Sequence, residues 1–211
     1  MDTITTLRLR YFPFTGRAEA ISDTLKIGKV AFEDDFVPPE EFGKRRAAGE
    51  FPLGGLPVMD VVTQSGEMCV AQSNAILRFS GRLSGLYPAD DLLQALKIDE
   101  AMDFGEDINQ QIAPSLSEHD DGKKMAMRKI LAEDTLPECA MYFERLLANN
   151  GNTGFIVGKD LTVADLKLYW IFDWITSGIL DGIPTTLLDP YSGIIAWREN
   201  IKRVREARLP D

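Results

Sequence analysis

The chain has 211 residues, a formal net charge of −10, and 45% hydrophobic and 27% charged residues. That balance excludes a disordered chain and leaves apolar surface for one large domain or two small ones. An acidic surface repels phosphate backbones, which argues against a nucleic-acid partner, and no apolar run approaches the ~20 residues of a membrane span.

The charge is uneven. Residues 1–80 hold nine Lys/Arg and eleven Asp/Glu, whereas residues 81–211 hold 14 and 22. Cys69 and Cys139 are far apart and form no CxxC pattern, and His119 is the only histidine. Neither a zinc site nor a disulfide scaffold is expected, and a reducing cytoplasm is the default compartment. Acidic Asp2 and the threonines after it give no basic n-region and no apolar h-region, so no secretory signal is expected.

In chain order, Thr3-Ile4-Thr5-Thr6-Leu7-Arg8-Leu9 is rich in β-branched residues and reads as a strand. Ala18–Leu25 has helical apolar spacing, with Gly28 as its stop. Between them, Arg10–Glu19 is a strand-to-helix turn. In α/β folds the carboxyl ends of strands are where ligands bind. Tyr11 and Phe12 sit there either as core aromatics or as ligand-facing residues; the stretch alone favours packing.

Ala31–Val37 is a short second strand ended by Pro38-Pro39. Residues 40–55, punctuated by Gly43, Gly49, Pro52, Gly54 and Gly55, read as a loop with room for one short helix around Glu40–Ala48. Leu56–Val62 and Met68–Ala71, joined by a polar turn at Gly66, read as a hairpin. A helix follows from Gln72, with Ser73 as its cap and Gly81 near its end. Gly85–Asp90 is a linker, and beyond it β signals nearly vanish. Leu92–Ile112 and Lys124–Leu147 have a helical period. Asn149–Gly154 is a turn, and Thr162-Val163-Ala164-Asp165 has capping-box spacing. Leu166–Ile175 is apolar nearly all round, as a buried central helix would be, and Ile194–Arg205 is amphipathic. This order predicts a small α/β domain over residues 1–83 and an all-helical domain over 84–211.

A proline opening the third strand of such a domain points to the thioredoxin fold, where a cis proline lies beside the active site. X-Pro is the one bond at which cis is cheap; a trans proline at a strand's first position is also allowed. The redox versions of that fold carry cysteine at the end of strand one. Here Tyr11 stands there, so thiol–disulfide exchange is excluded as the main chemistry.

Tyr11-Phe12-Pro13 with Gly16-Arg17-Ala18-Glu19, then Gly55-Leu56-Pro57-Val58, then Gln72-Ser73-Asn74-Ala75-Ile76-Leu77-Arg78 followed by Gly85-Leu86-Tyr87, resemble the cytosolic glutathione transferases. Those with a catalytic tyrosine (sigma, pi, mu and alpha) match best, sigma foremost. The box at Thr162–Asp165, with Gly158 ahead of it, resembles that family's second-domain signature. The resemblance covers essentially the whole chain.

It implies an α/β thioredoxin-like domain that binds glutathione and an all-α domain that completes the electrophile site. Tyr11 is then the catalytic residue, its hydroxyl donating to the glutathione sulfur. Leu56 holds the cysteinyl backbone beside cis Pro57, and Gln72 and Ser73 bind the γ-glutamyl end. Asp103 is either the acid that reaches the partner subunit's γ-glutamyl amine or an exposed helix acid. Arg17 is counted among the glutathione-binding residues, as support for the turn and not for the chemistry. The family's tryptophan and lysine for the glycyl end are missing: Phe42 stands near the first, and Lys44, Arg45 and Arg46 crowd the second, with Arg46 the choice. Gly55 offers no side chain to the tripeptide. Leu53 replaces the aromatic key that pi and alpha relatives insert into a partner.

By analogy Phe12, Phe14 and Ala113 line an apolar electrophile site. The expected activity is addition of the glutathione thiolate to apolar electrophiles in detoxification, by a cytoplasmic homodimer with no metal or other cofactor and glutathione as co-substrate. The alternatives are a glutathione-dependent isomerase or peroxidase of lipid-derived substrates, like a prostaglandin D synthase, and a non-catalytic, crystallin-like binding protein.

Overall fold

The computed structural model describes residues 2–210, and the chain divides into two compact units between Ala89 and Asp90. Leu86 and Tyr87, expected in a linker, are buried, and their amides donate back to the Gly81 carbonyl of the first unit at 2.9 and 3.1 Å.

The first unit is built from β1 (Ile4–Tyr11), α1 (Glu19–Ile27), β2 (Glu33–Phe36), α2 (Pro39–Ala47), β3 (Val58–Thr63), β4 (Gly66–Ala71) and α3 (Ser73–Ser84). The strands form one sheet in the order β2-β1-β3-β4, with β1 and β2 parallel and the other pairs antiparallel. Period-two alternation sorts the side chains of β1 onto two faces. Leu7 and Leu9 on one face are buried, as are their cross-strand partners Val61 and Met59. Arg8 and Arg10 point to the other face, opposite Asp60 and Val58. On that second face Val37, Phe51 and Val58 form a small core with Phe42 and Leu56 packed on it.

Two local expectations fail at α3. Ser73 is its first residue rather than its cap; Gln72 holds the cap position with φ +79° and makes no side-chain capping bond. Gly81 is buried inside the helix, and Gly85, left-handed at φ 72°, ends it, its amide donating to the carbonyl of Gly81. A left-handed end favours glycine at that point, and the sequence offered two glycines four residues apart.

The second unit contains α4 (Leu92–Ser117), α5 (Asp121–Ile130), α6 (Leu136–Asn149), α7 (Val163–Ile175) and α8 (Ser192–Arg208). Helix α4 continues past the expected Ile112 and includes Pro114; the hydroxyls of Ser115 and Ser117 donate to the carbonyls of Ile112 and Pro114. The helical stretch expected over Lys124–Leu147 is interrupted by a π-type turn at Leu131–Thr135. Pro137 accounts for the break: it has no N–H to offer the carbonyl of Glu133, and its ring crowds that carbonyl.

Helix α7 is the centre of this unit, with all of Val163–Tyr169 buried. Its capping box is formed, and the fully buried Asp165 carboxylate serves four donors. Oδ2 accepts from the Thr162 amide and hydroxyl, both at 2.9 Å. Oδ1 accepts from the Ile156 amide at 2.9 Å and from Trp197 Nε1 at 3.0 Å. The same Trp197 ring packs edge-on against Phe143, 4.7 Å between centroids. One side chain thus ties α7 to α8 and to the segment before it.

Replacing Asp165 with Ala would leave four buried donors without an acceptor. The expected cost is at least about 3 kcal/mol of stability, read as a lower urea midpoint. Asp165→Asn, which keeps one acceptor oxygen, should lose less. An Ala variant with the wild-type midpoint would contradict this account.

Candidate active site

Tyr11 is the last residue of β1, and its carbonyl accepts from the Val37 amide at 2.7 Å, which fixes the strand end beside β2. The chain then turns so tightly that the Arg17 amide donates to the Tyr11 hydroxyl oxygen at 3.0 Å. A Cβ on Gly16 would lie 2.4 Å from that oxygen, so only glycine fits there. Glu19 closes the turn: its Oε2 accepts from the Gly16 amide at 3.1 Å. Helix α1 begins at Glu19, and the amide aimed at Tyr11 belongs to the turn before it.

Burial pushes the Tyr11 phenol above its ordinary value, with the Arg17 amide pulling the other way. The group is therefore a neutral phenol at physiological pH. Its oxygen accepts from Arg17, which leaves its own hydrogen to donate.

A cleft of about 130 Å³ is lined by Arg17, Leu53, Gly55, Leu56, Pro57, Ala71, Gln72 and Ser73. The Leu56–Pro57 bond is cis. An enclosed ligand pocket is roughly 300–1,000 Å³, so this cleft has room for part of a ligand. It lies at the N-terminus of α3, whose first amides have no partner within the helix. Gln72, a non-glycine residue at positive φ, holds a conformation that typically costs ~1–3 kcal/mol. Five of the residues expected to bind glutathione thus meet in one place: Arg17, Leu56, Pro57, Gln72 and Ser73. Leu53, Gly55 and Ala71 join them as wall.

The remaining expected residues lie elsewhere. Phe42 is not in the cleft lining; half-buried against the small core, its ring stacks on Phe51 at 5.5 Å and meets Phe12 edge-on at 5.3 Å. Phe12 and Phe14 are stacked in parallel, 5.0 Å apart, and Phe14 is 54% exposed. Asp103 and Ala113 are exposed residues of α4 in the second unit.

The three basic residues of α2 are not equivalent. Arg45 donates from Nε to Glu50 at 2.8 Å and from Nη2 to Asp35 at 3.2 Å, and lies over the Phe51 ring. Arg46 is exposed, with Nε 3.2 Å from where a Cβ on Gly54 would sit, next to cleft residues Leu53 and Gly55. The charged network of Arg45 was not anticipated. It continues to Arg10, which donates from Nε and Nη2 to Asp60 Oδ2, the first at 2.8 Å, and lies 3.6 Å from Glu50 and 3.7 Å from Asp35. The alternation of Arg8 and Arg10 was its only sequence signal. Among the described residues, no group of three His, Cys, Asp or Glu is placed to hold a metal.

Cys69 is the cross-strand partner of Asp60. Burial first, and the Asp60 carboxylate second, push its thiol up to about 11. Burial also raises Cys139. Because the raised value disfavours the thiolate at all lower pH, Cys69 should be unreactive at pH 8, with ~0.1% thiolate. Mass-spectrometric mapping of iodoacetamide labelling should show Cys69 modified at least ~100-fold more slowly in the folded than in the urea-unfolded chain. Equal rates would contradict the assignment. Gly16→Ala should push the Tyr11 ring aside and cost about 1–3 kcal/mol, measured by urea denaturation.

Comparison with known proteins agrees with this geometry. Residues 106–206 match the family model described as glutathione S-transferase, C-terminal domain. The chain is 32% identical to human glutathione S-transferase P over 197 residues, 91% of this chain and 88% of the relative. It is 34% identical to Xenopus laevis glutathione S-transferase P 1 over 164 residues, 76% of this chain and 72% of that one. Among solved structures, prostaglandin synthase D of Nilaparvata lugens superposes with a TM-score of 0.80 at 27% identity, covering 98% of this chain and all of its own. The sigma class enzyme of Fasciola hepatica shares the fold, with a TM-score of 0.77 at 21% identity over 98% of both chains. The chain therefore belongs to the glutathione S-transferase family and is a glutathione transferase.

Proposed function

We propose that Tyr11 is the catalytic residue and that it activates glutathione by donating its hydroxyl hydrogen to the sulfur. One observation carries this reading: the Tyr11 oxygen accepts from the amide of Arg17, a cleft residue, at 3.0 Å, and so its own proton is free to donate. An ordinary thiol has a pKa near ~8.5 and is mostly protonated at neutral pH. A fixed donor favours the thiolate, which is the nucleophile. The thiol proton leaves to solvent, the sulfur attacks the electrophile, and the enzyme contributes thiolate stabilisation and proximity.

Glutathione lies across the cleft in this proposal. Leu56, ahead of cis Pro57, pairs with the cysteinyl backbone in the manner of an added strand. Gln72, Ser73 and the first amides of α3 take the γ-glutamyl carboxylate. Arg46 takes the glycyl carboxylate, supported by its place beside Gly54 and by the engagement of Arg45 with Glu50 and Asp35. Phe12 and Phe14 contribute apolar surface to the electrophile, and Asp103 serves the γ-glutamyl amine of a partner subunit. Phe42 supports the cleft from the core behind it.

Sigma-like character, a role in detoxification, cytoplasmic location and a homodimer belong to the same proposal. Leu92, Leu93 and Leu96, 81%, 74% and 65% exposed on the first turns of α4, support an interface. A second reading, isomerisation or peroxide reduction of lipid-derived substrates with glutathione, is favoured by the likeness to the Nilaparvata lugens prostaglandin synthase D.

The test is retention on immobilised glutathione together with turnover of 1-chloro-2,4-dinitrobenzene. Retention with turnover supports the transferase reading, and retention without turnover the second reading. No retention would point to a non-catalytic, crystallin-like protein. Tyr11→Phe should lower turnover at least tenfold, since removing one such donor typically costs ~10²–10³; an unchanged rate would sink the proposed role.

A further inference from the structure

We infer that Glu19 is a positioning residue for the Tyr11 hydroxyl, acting through the Gly16–Arg17 peptide, an inference that rests on the catalytic reading of Tyr11. The path is two hydrogen bonds long. Glu19 Oε2 accepts from the Gly16 amide at 3.1 Å, and the next amide, that of Arg17, donates to the Tyr11 oxygen at 3.0 Å. The backbone closes the same turn in the other direction, with the Glu19 amide donating to the Gly16 carbonyl at 3.4 Å.

What lies between the two bonds is a glycine, the residue with the widest range of backbone angles. It cannot be replaced by a stiffer residue, because a Cβ there would collide with the Tyr11 oxygen at 2.4 Å. The close approach that aims the Arg17 amide therefore removes the simplest means of holding it. Peptide planes are rigid, so the freedom left is rotation about the two bonds of Gly16. Fixing the Gly16 N–H with a carboxylate restricts one of them.

The carboxylate is suited to this because it is half-buried. Burial raises Glu19, opposed by the Gly16 amide; Asp23 and Lys26 of α1 also act on it, and Arg17 and Glu19 act on Tyr11.

An acidic side chain reaching three residues back is also the geometry of helix capping, and an acid in the first turn of a helix is favourable by charge alone. The two roles separate by substitution. Glu19→Gln keeps an oxygen that reaches Gly16 and loses the charge. Glu19→Asp keeps the charge and falls short of Gly16.

The experiment measures kcat and KM for glutathione with 1-chloro-2,4-dinitrobenzene on Glu19→Gln, Glu19→Asp, Glu19→Ala and the double variant Tyr11→Phe/Glu19→Ala. Positioning predicts Gln within about threefold of wild-type kcat. Asp and Ala should be lower by ~10–100-fold, the scale of a misplaced catalytic group, with KM for glutathione changed by less than about threefold. The double variant should be no slower than Tyr11→Phe alone.

A rate order with Asp at or above Gln, or all three at the wild-type rate, overturns the inference, as do losses that multiply in the double variant. Should Glu19→Ala not fold, the Gln-against-Asp order decides alone. If Tyr11→Phe itself runs at full rate, it is the catalytic reading of Tyr11 that falls. If Tyr11→Phe is slow and Glu19→Asp is not, only the role of Glu19 falls.

Discussion

The candidate active site depends on one close approach, that of the Gly16–Arg17 peptide to the oxygen of Tyr11. A phenol at a strand end is free to rotate about its side-chain bonds, and a freely rotating donor stabilises little. Here the oxygen accepts a backbone amide, touches a glycine, and is attached to a strand end that is itself pinned by the Val37 amide. The direction left for the hydroxyl hydrogen is thereby narrowed before any ligand arrives. Arrangement in advance is what makes such a donor effective, because nothing need reorganise when charge develops on sulfur.

The opposite face of the sheet shows how the surroundings are kept still. Arg10 and Arg45 bridge Asp60 on β3, Asp35 on β2 and Glu50 beyond α2. The small core of Val37, Phe51 and Val58 lies on the same face. Helix α2 has no fully buried residue of its own, so charge pairs and the Phe42–Phe51 stack hold it where a hydrophobic stripe would otherwise do so. Neighbouring basic residues thus acquire different duties: Arg45 is structural, and Arg46 faces the loop that edges the cleft.

Element order was legible in the sequence because it follows from periodicity and turn residues, which are local. The hairpin at Gly66, the strand-to-helix turn and the capping box at Thr162 all came from spacing alone. Where two residues satisfied the same local rule, the sequence could not choose: Gly81 and Gly85 both suit a helix end, and packing put the first inside. The π-type turn before Pro137 was hidden because a proline after an unbroken apolar period does not say how the backbone will relieve it. Phe42 matches a ligand position by sequence and packs on the small core in the structure, since aromatic rings look alike in either role. The Arg10–Asp60 pair is illegible for a different reason: it joins residues 50 apart in sequence, which the alternation of Arg8 and Arg10 does not record, whereas Arg45 and Glu50 are five apart but lie on either side of the end of α2, where no helical spacing pairs them. Within the cleft, Leu56, Pro57, Gln72 and Ser73 were readable through family motifs, whereas Ala71 has no chemistry to advertise.

The two cysteines have a bearing on what such a protein can survive. A protein that gathers electrophiles and ripens one thiol for attack exposes every other thiol it carries to the same reagents. Burial keeps Cys69 and Cys139 protonated, and Cys69 is further silenced by the carboxylate across the strand. The contrast between a bound sulfur turned into an anion and resident sulfurs held back from that state slows self-alkylation, through burial at both positions and, at Cys69 alone, through the cross-strand Asp60 carboxylate.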